Sequence, residues 1–399
     1  VRVIVNAECT YLTRTGVGHH TGELLAALRA RPGGAEIGEY PSGGSVPVVR
    51  FFNRQYERYQ RAAERPGARA RAEALARRGA LGALKVARNL LAPNPLARCA
   101  RRGGYDLYHE PNFLAAPCEL PTAVTVHDLS VVLHPEWHPA RRVEKYRREF
   151  DRTLRQACHL LTVSETVKGE IVEHLGWPAE KVSVTYNGRR PFLRPLSSEE
   201  CAPVLSALDL KPGYLLHVGT VEPRKNLGVL LRAHAALPAP LRTRHPLVLV
   251  GGSGWSANDL ENELADRQRA GTVRRLGYCP DESLAALYSA ARALAFPTLY
   301  EGFGMPTVEM MACGGAVLAS AAGAVAETVG GTAHLIDPRD EAGWRDALLR
   351  VCTDDDWWKA LRAGAAAAAE PFTWDRCAEQ TLAAYRRALG KAGEVRRAA

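Results

Sequence analysis

Short apolar runs rich in β-branched residues alternate with longer amphipathic ones along most of this chain, and that rhythm limits its fold more than any other feature. Strands are expected at 1–6, 106–109, 122–127, 160–163 and 182–186, and again at 214–218, 247–250, 273–276, 293–296 and 316–320. Helices are expected between them, among others at 19–30, 141–157, 226–237, 283–290 and 341–353. A strand, a helical crossover and another strand, repeated, give a parallel sheet covered on both faces, so the fold class is α/β with doubly wound sheets. With 399 residues the chain exceeds what one hydrophobic core serves, and two domains are expected. The stretch 189–213 carries prolines at 191, 195, 203 and 212 without periodicity and reads as the linker. Two such sheets leave a cleft at facing strand ends, where ligands of α/β proteins bind.

Hydrophobic residues make up 46% of the chain and charged ones 24%, which excludes a disordered polymer. No run approaches the ~20 apolar residues of a bilayer-crossing helix, and the first residues read as a strand rather than a leader, so a soluble, cytoplasmic protein is expected. Nine singly scattered cysteines fit reduced thiols better than disulfides. The charge is uneven: residues 50–104 carry 14 basic side chains against Glu57, Glu64 and Glu73, a surplus larger than the +9 of the whole chain. There Phe52, Tyr56 and Tyr59 recur at helical spacing beside Arg54, Arg58 and Arg61. A solvated arginine-rich face with a packed aromatic stripe is the favoured reading. Peripheral contact with an anionic membrane and contact with an acceptor stay open.

Three constellations carry chemistry. Glu301-Gly-Phe-Gly-Met-Pro-Thr-Val-Glu309 follows an apolar strand and opens a helix. Gly302 and Gly304 allow close backbone approach, Pro306 suits the first helical position, and the helix start offers N–H groups and a positive dipole end to a phosphate. The two carboxylates can accept hydrogen bonds from vicinal hydroxyls of one elongated ligand. Gly219-Thr-Val-Glu-Pro-Arg-Lys-Asn226, again between a strand and a helix, offers Arg224 and Lys225 to a diphosphate. In the first half, Thr15-Gly-Val-Gly-His-His20 reads as a glycine loop closing on a phosphate, and His127 ends a strand at the cleft. Asp354-Asp-Asp356 resembles a metal motif, but helix capping explains it better, and no metal or other cofactor is expected.

Together these residues resemble the retaining, nucleotide-sugar-dependent glycosyltransferases of family 4. The resemblance rests on EGFGMPTVEMMACG, HVGTVEPRKN at 217–226, TGVGHH at 15–20, YHEPNF at 108–113, TVHDLS at 125–130, SETVKGEI at 164–171, VSVTYNG at 182–188 and PFTWDRCAEQTLAAYRRAL near the end. It implies the GT-B architecture: a Rossmann-like acceptor domain at 1–195 and a Rossmann-like donor domain at 212–371 facing across a cleft, with a last helix near 372–390 crossing back onto the first. It implies that Glu309 holds the donor ribose and Glu301 the transferred sugar, and that Arg224, Lys225 and the amides of Gly302, Phe303 and Gly304 hold the diphosphate. Tyr278 would border the nucleobase, His127 would contact the sugar, and Gly16 and Gly18 would close over donor and acceptor. His19, His109 and Asn112 are acceptor-side candidates.

The motif style is nearest to mannosyltransferases that use GDP-mannose, while UDP-sugars and any glycan, glycolipid or small-molecule hydroxyl acceptor stay open. Three stretches depart from the family pattern: His19-His20, Asn187-Gly-Arg-Arg190, which lacks a frequent aspartate, and Cys313-Gly-Gly-Ala316, which lacks a frequent proline. A nucleotide-sugar epimerase or phosphorylase of the same architecture is the alternative. A nucleic-acid-binding protein has charge alone behind it, and no nucleic-acid partner is expected.

Overall fold

Aliphatic residues that meet neighbours on both sides build two sheets. The computed structural model of the chain describes residues 1–11, 16–31, 33–43, 45–63, 73, 76–77, 79, 94–252, 254–255 and 258–398. The first sheet contains β1 (Arg2–Asn6), β2 (Glu36–Tyr40), β3 (Leu107–Glu110), β4 (Thr122–Val126), β5 (Ala157–Thr162) and β6 (Val182–Val184), in the order β2-β1-β3-β4-β5-β6. The second contains β7 (Leu215–Val218), β8 (Leu247–Val250), β9 (Val273–Gly277), β10 (Ala293–Phe296), β11 (Val317–Ser320) and β12 (His334–Ile336), in the order β12-β11-β10-β7-β8-β9. Every paired neighbour is parallel.

Side-chain alternation feeds a core on each face. In the first sheet Val3, Val5, Leu107, Ala123 and Leu161 pack on one side, and Ile4, Tyr108, Val124 and Leu160 on the other. In the second, Leu215, Ala293 and Leu318 oppose Leu216, Leu294 and Val317 in the same manner. Burial on both faces is why these strands read as continuous apolar runs. Order reverses between β1 and β3 in the first sheet and between β7 and β10 in the second, which sets a crevice at each of those pairs.

Two strands escape the sequence reading, β2 and β12. Both are edge strands with exposed positions and no apolar run, Glu-Ile-Gly-Glu-Tyr in one and three residues in the other. The proposed linker 189–213 is also corrected, because it contains the helix Ser198–Ala207. A capping box between Ser197 and Glu200 starts that helix, and it buries Cys201 and Leu205 in the second core. Pro203 inside it hid the helical pattern. The first helix runs over Gly16–Ala30, so Gly16 and Gly18 form its opening turn instead of a free loop, and Thr15 lies outside the described residues.

The basic segment is partly covered. The helix Ser45–Ala63 includes the aromatic stripe, although the side chains of Tyr56, Tyr59 and Arg61 and most of 64–93 lie outside the described residues. Arg50, Arg54, Arg58, Arg101 and Arg102 are exposed. Among the described residues no helix is long and apolar enough to cross a membrane.

The chain passes between the halves twice. Arg189 N donates to Phe372 O at 2.9 Å, and the final helix, Trp374–Ala398, then buries Trp374, Cys377, Ala378 and Tyr385 against the first sheet and the helix Gly16–Ala30. A Cβ on Gly188 would lie 2.3 Å from the Trp374 backbone nitrogen, so only glycine fits where the two passages touch. Gly188→Ala is expected to lower stability by about 1–3 kcal/mol, read as a drop in the urea midpoint at unchanged slope.

Candidate active site

At the second sheet's crevice the loops after β7 and β10 meet through three charges. The 3₁₀ turn Pro223–Lys225 follows β7, and Asn226, in the left-handed region at φ 53°, ends it and donates to Pro297 O at 3.0 Å. Arg224 Nη1 lies 2.8 Å from Glu301 Oε2, Arg224 Nη2 lies 2.9 Å from Glu222 Oε1, and Lys225 Nζ donates to Glu301 Oε1. Arg224 Nη1 also donates to Tyr300 O at 2.8 Å. Burial alone would raise the Glu301 carboxyl, but Arg224 and Lys225 outweigh it and hold it down at about 2. Expectation and structure agree that Glu301, Arg224 and Lys225 share one place.

Beyond Glu301 the backbone turns into the helix Met305–Ala312. Gly304, at φ 89°, is its N-cap and caps it with no side chain; in the first turn Pro306 has no N–H and Thr307 N donates to Gly304 O at 3.0 Å. A Cβ on Gly302 would lie 1.8 Å from His127 O, so the two halves touch through this glycine, and Ser164 Oγ donates to Gly302 O at 2.8 Å. Phe303 turns its side chain into the core, 5.5 Å from the Phe372 ring, and leaves its backbone at the turn. Glu309, one turn into the helix, accepts from Tyr288 Oη at 2.8 Å and lies 3.4 Å from Arg190 Nε. Tyr278 follows β9 and is 60% exposed.

On the facing half, His127 stands just past β4. Its Nε2 lies 2.8 Å from Pro111 O, a pure acceptor, so Nε2 carries the proton and Nδ1 keeps a lone pair. Burial lowers its pKa and keeps the ring neutral. The His20 ring stands edge-on at 4.7 Å, with His20 Nδ1 2.8 Å from Asn187 Oδ1. His109 is not available to an acceptor: it is fully buried, with Nε2 on Thr125 Oγ1 and Nδ1 on Tyr385 Oη, each at 2.8 Å. Asn112 is exposed and His19 half-buried.

Sequence reasoning missed four participants. Glu110 lies at the first sheet's crevice, accepting from Asn6 Nδ2 at 2.8 Å and Asn112 N at 3.0 Å, and burial raises it to about 7. His20, Tyr288 and Arg190 complete the set. Arg190 and His20 sat inside quoted motifs, whereas Tyr288 reaches Glu309 only through folding. Asp354 caps the helix Asp355–Arg362 by accepting from Trp357 N at 2.9 Å. Among the described residues no group of three or more His, Cys, Asp or Glu is placed to hold a metal.

Two family models match the chain, "Glycosyltransferase Family 4" over residues 15–191 and "Glycosyl transferases group 1" over 204–369. O-antigen chain mannosyltransferase B of Escherichia coli is 39% identical over 300 residues, 74% of this chain and 78% of that one. The chain belongs to glycosyltransferase family 4. The serotype-specific mannosyltransferase WbdA of Escherichia coli is 28% identical over 62% of this chain, which spans only 30% of that longer protein. Among solved structures, Anabaena HepE in complex with UDP-glucose matches with TM-score 0.68 at 20% identity, covering 96% of this chain and 98% of that one. WaaG, a glycosyltransferase of lipopolysaccharide biosynthesis, matches with TM-score 0.66 at 15% identity over 96% and 98%. Both share the GT-B fold with this glycosyltransferase.

The depressed carboxyl of this family 4 member has a pH signature. A group whose folded pKa lies below its unfolded value stabilises fully above the unfolded value and loses that contribution as pH falls through the folded one. The Glu301 contribution is therefore expected to be complete above about pH 4.5 and to vanish toward pH 2. Thermal unfolding of the native chain and of Glu301→Gln should differ most at neutral pH and converge across that window.

Proposed function

We propose that this glycosyltransferase moves a hexosyl unit, mannosyl by preference, from a nucleotide-diphosphate sugar to a hydroxyl of a glycan or glycolipid, with retention at the anomeric carbon. The observation that carries the reading is the buried Arg224–Lys225–Glu301 cluster beside a helix start capped by no side chain, pressed against His127 of the other half. The mannosyl preference and the saccharide acceptor draw on the relatives named as mannosyltransferases.

Charge grows on the diphosphate as the anomeric carbon–oxygen bond breaks. Arg224, Lys225 and the N–H groups at the helix start would bind that charge where it develops, which speeds the step most when the donors are already oriented. These fixed positive groups would do the work without a metal. Glu301 would accept from the transferred sugar's hydroxyls, Glu309 from the ribose, and Tyr278 would flank the base. His127, neutral and with Nδ1 free to accept, would orient another sugar hydroxyl. Transfer would occur on the face the diphosphate leaves, with a departing phosphate oxygen taking the acceptor hydroxyl's proton. An epimerase or phosphorylase would need this same donor grip, so turnover with an acceptor and without added phosphate separates them.

Thermal shift against GDP, UDP, ADP and their sugars should select one base, and GDP-mannose is expected to give the largest shift. Glu301→Gln is expected to cut turnover by about 10²–10³-fold while leaving nucleoside diphosphate affinity equal or tighter, because two cations are released. A fully active Glu301→Gln enzyme would remove Glu301 from the sugar, and chelator is expected to leave the rate unchanged.

A further inference from the structure

Arg190 stands on the segment that leaves β6 for the second half. Its place is fixed by backbone bonds on both sides: Leu193 N donates to Arg190 O at 3.1 Å, and Arg189 N is tied to Phe372 O. From there the guanidinium enters the donor half, with Nε 3.4 Å from Glu309 Oε1 and Nη1 3.3 Å from Asp281 Oδ1. Its side chain is 16% exposed, that of Glu309 is 5% exposed, and Arg190 Nη1 is buried without a hydrogen-bond partner. The other Glu309 oxygen takes the Tyr288 hydroxyl. A charge-assisted hydrogen bond would be roughly 2.7–2.9 Å, so Arg190 supplies charge to Glu309 Oε1 from beyond that range and leaves the oxygen's lone pairs to other donors.

We propose that Arg190 is a positioning residue of the donor site, keeping Glu309 an ionised acceptor aimed at the two vicinal hydroxyls of the ribose and tying nucleotide recognition to the segment joining the halves. The inference rests on the reading of Glu309 as the ribose holder. Glu309 is faced by Arg190 from that segment, by Asp281 and Tyr288 from the helix Asp281–Ala290, and by Cys313 at the end of its own helix. Burial pushes the Glu309 carboxyl up, and the Arg190 charge, then the Tyr288 hydroxyl, oppose it, while Asp281 pushes it further up. Without Arg190 two neighbouring carboxylates lose their common cation, and Glu309 takes a proton at higher pH. A protonated carboxyl has lost acceptor capacity for a diol.

The test compares GDP or UDP, whichever the donor screen selects, with its 2′,3′-dideoxy counterpart by titration calorimetry on the full chain. The native enzyme is expected to prefer the ribose form by about tenfold or more. Arg190→Gln should lose more of that preference the lower the pH, with dideoxy affinity unchanged, and Arg190→Lys should keep it across the same range. Should Arg190→Gln fail to fold, Asp281→Asn reads the same linkage in the other direction, and the preference should fall off less as the pH is lowered. An Arg190→Gln enzyme with undiminished preference, one that weakens both nucleotides equally, or an Asp281→Asn enzyme whose preference falls off no less overturns the proposal. A native enzyme without any preference overturns the ribose reading of Glu309 itself and this inference with it.

Discussion

A buried ion cluster governs the second half. Removing ions from water costs several kcal/mol each, and the cost is recovered only where geometry and further hydrogen bonds are good. Arg224 meets that demand twice over. Its side chain holds Glu301, Glu222 and Tyr300 O, and its own carbonyl accepts from Leu299 N at 2.8 Å and Thr298 Oγ1 at 3.1 Å. One residue thereby stitches the loop after β7 to the loop after β10, the strands on either side of the crevice. Glu301 is fixed in turn, its carbonyl taken by Ala324 N at 2.9 Å.

The position of the facing half follows from that rigidity. Gly302, next to Glu301, meets the His127 carbonyl with no room for a side chain, so any shift of the charged loop moves the contact. Glu327 makes the second clasp. Its carboxylate accepts from Glu165 N at 2.8 Å, Thr166 N at 3.0 Å and Tyr186 Oη at 2.8 Å, capping the helix Glu165–Leu175 of the first half from the second. An anionic cap at a helix start is favoured by its free N–H groups and its dipole. Tyr300 adds a third clasp, its hydroxyl accepting from Leu129 N at 3.0 Å. The cleft is closed by polar contacts made at backbone ends.

What could be read from the chain follows the same physics. Strands buried on both faces announce themselves as apolar runs, so ten of them are legible, while β2 and β12 lie at sheet edges where polar residues cost little. Glu301, Arg224, Lys225 and Glu309 are legible because glycines and proline at fixed offsets mark a strand-to-helix turn. His109 misled because a histidine in a strand-end motif looks available, and only packing against Tyr385, 276 residues away, shows that it is not. Tyr288 gives no local signal, since its role depends on a helix meeting a helix.

The charge balance of the cluster bears on how a donor would be held. Arg224 and Lys225 already face Glu301 and Glu222, so the site carries no standing surplus of positive charge to trap any passing phosphate. On the proposed reading, a sugar ring that donates its hydroxyls to Glu301 would draw off part of that carboxylate's charge and so strengthen the pull of the two cations, held where they are, on the diphosphate. The two ends of the donor would then favour each other's binding, and a nucleotide without its sugar would have to compete with Glu301 for the same two side chains. Once the sugar had moved to its acceptor, Glu301 would again compete fully for the two cations, which would help the spent nucleotide leave.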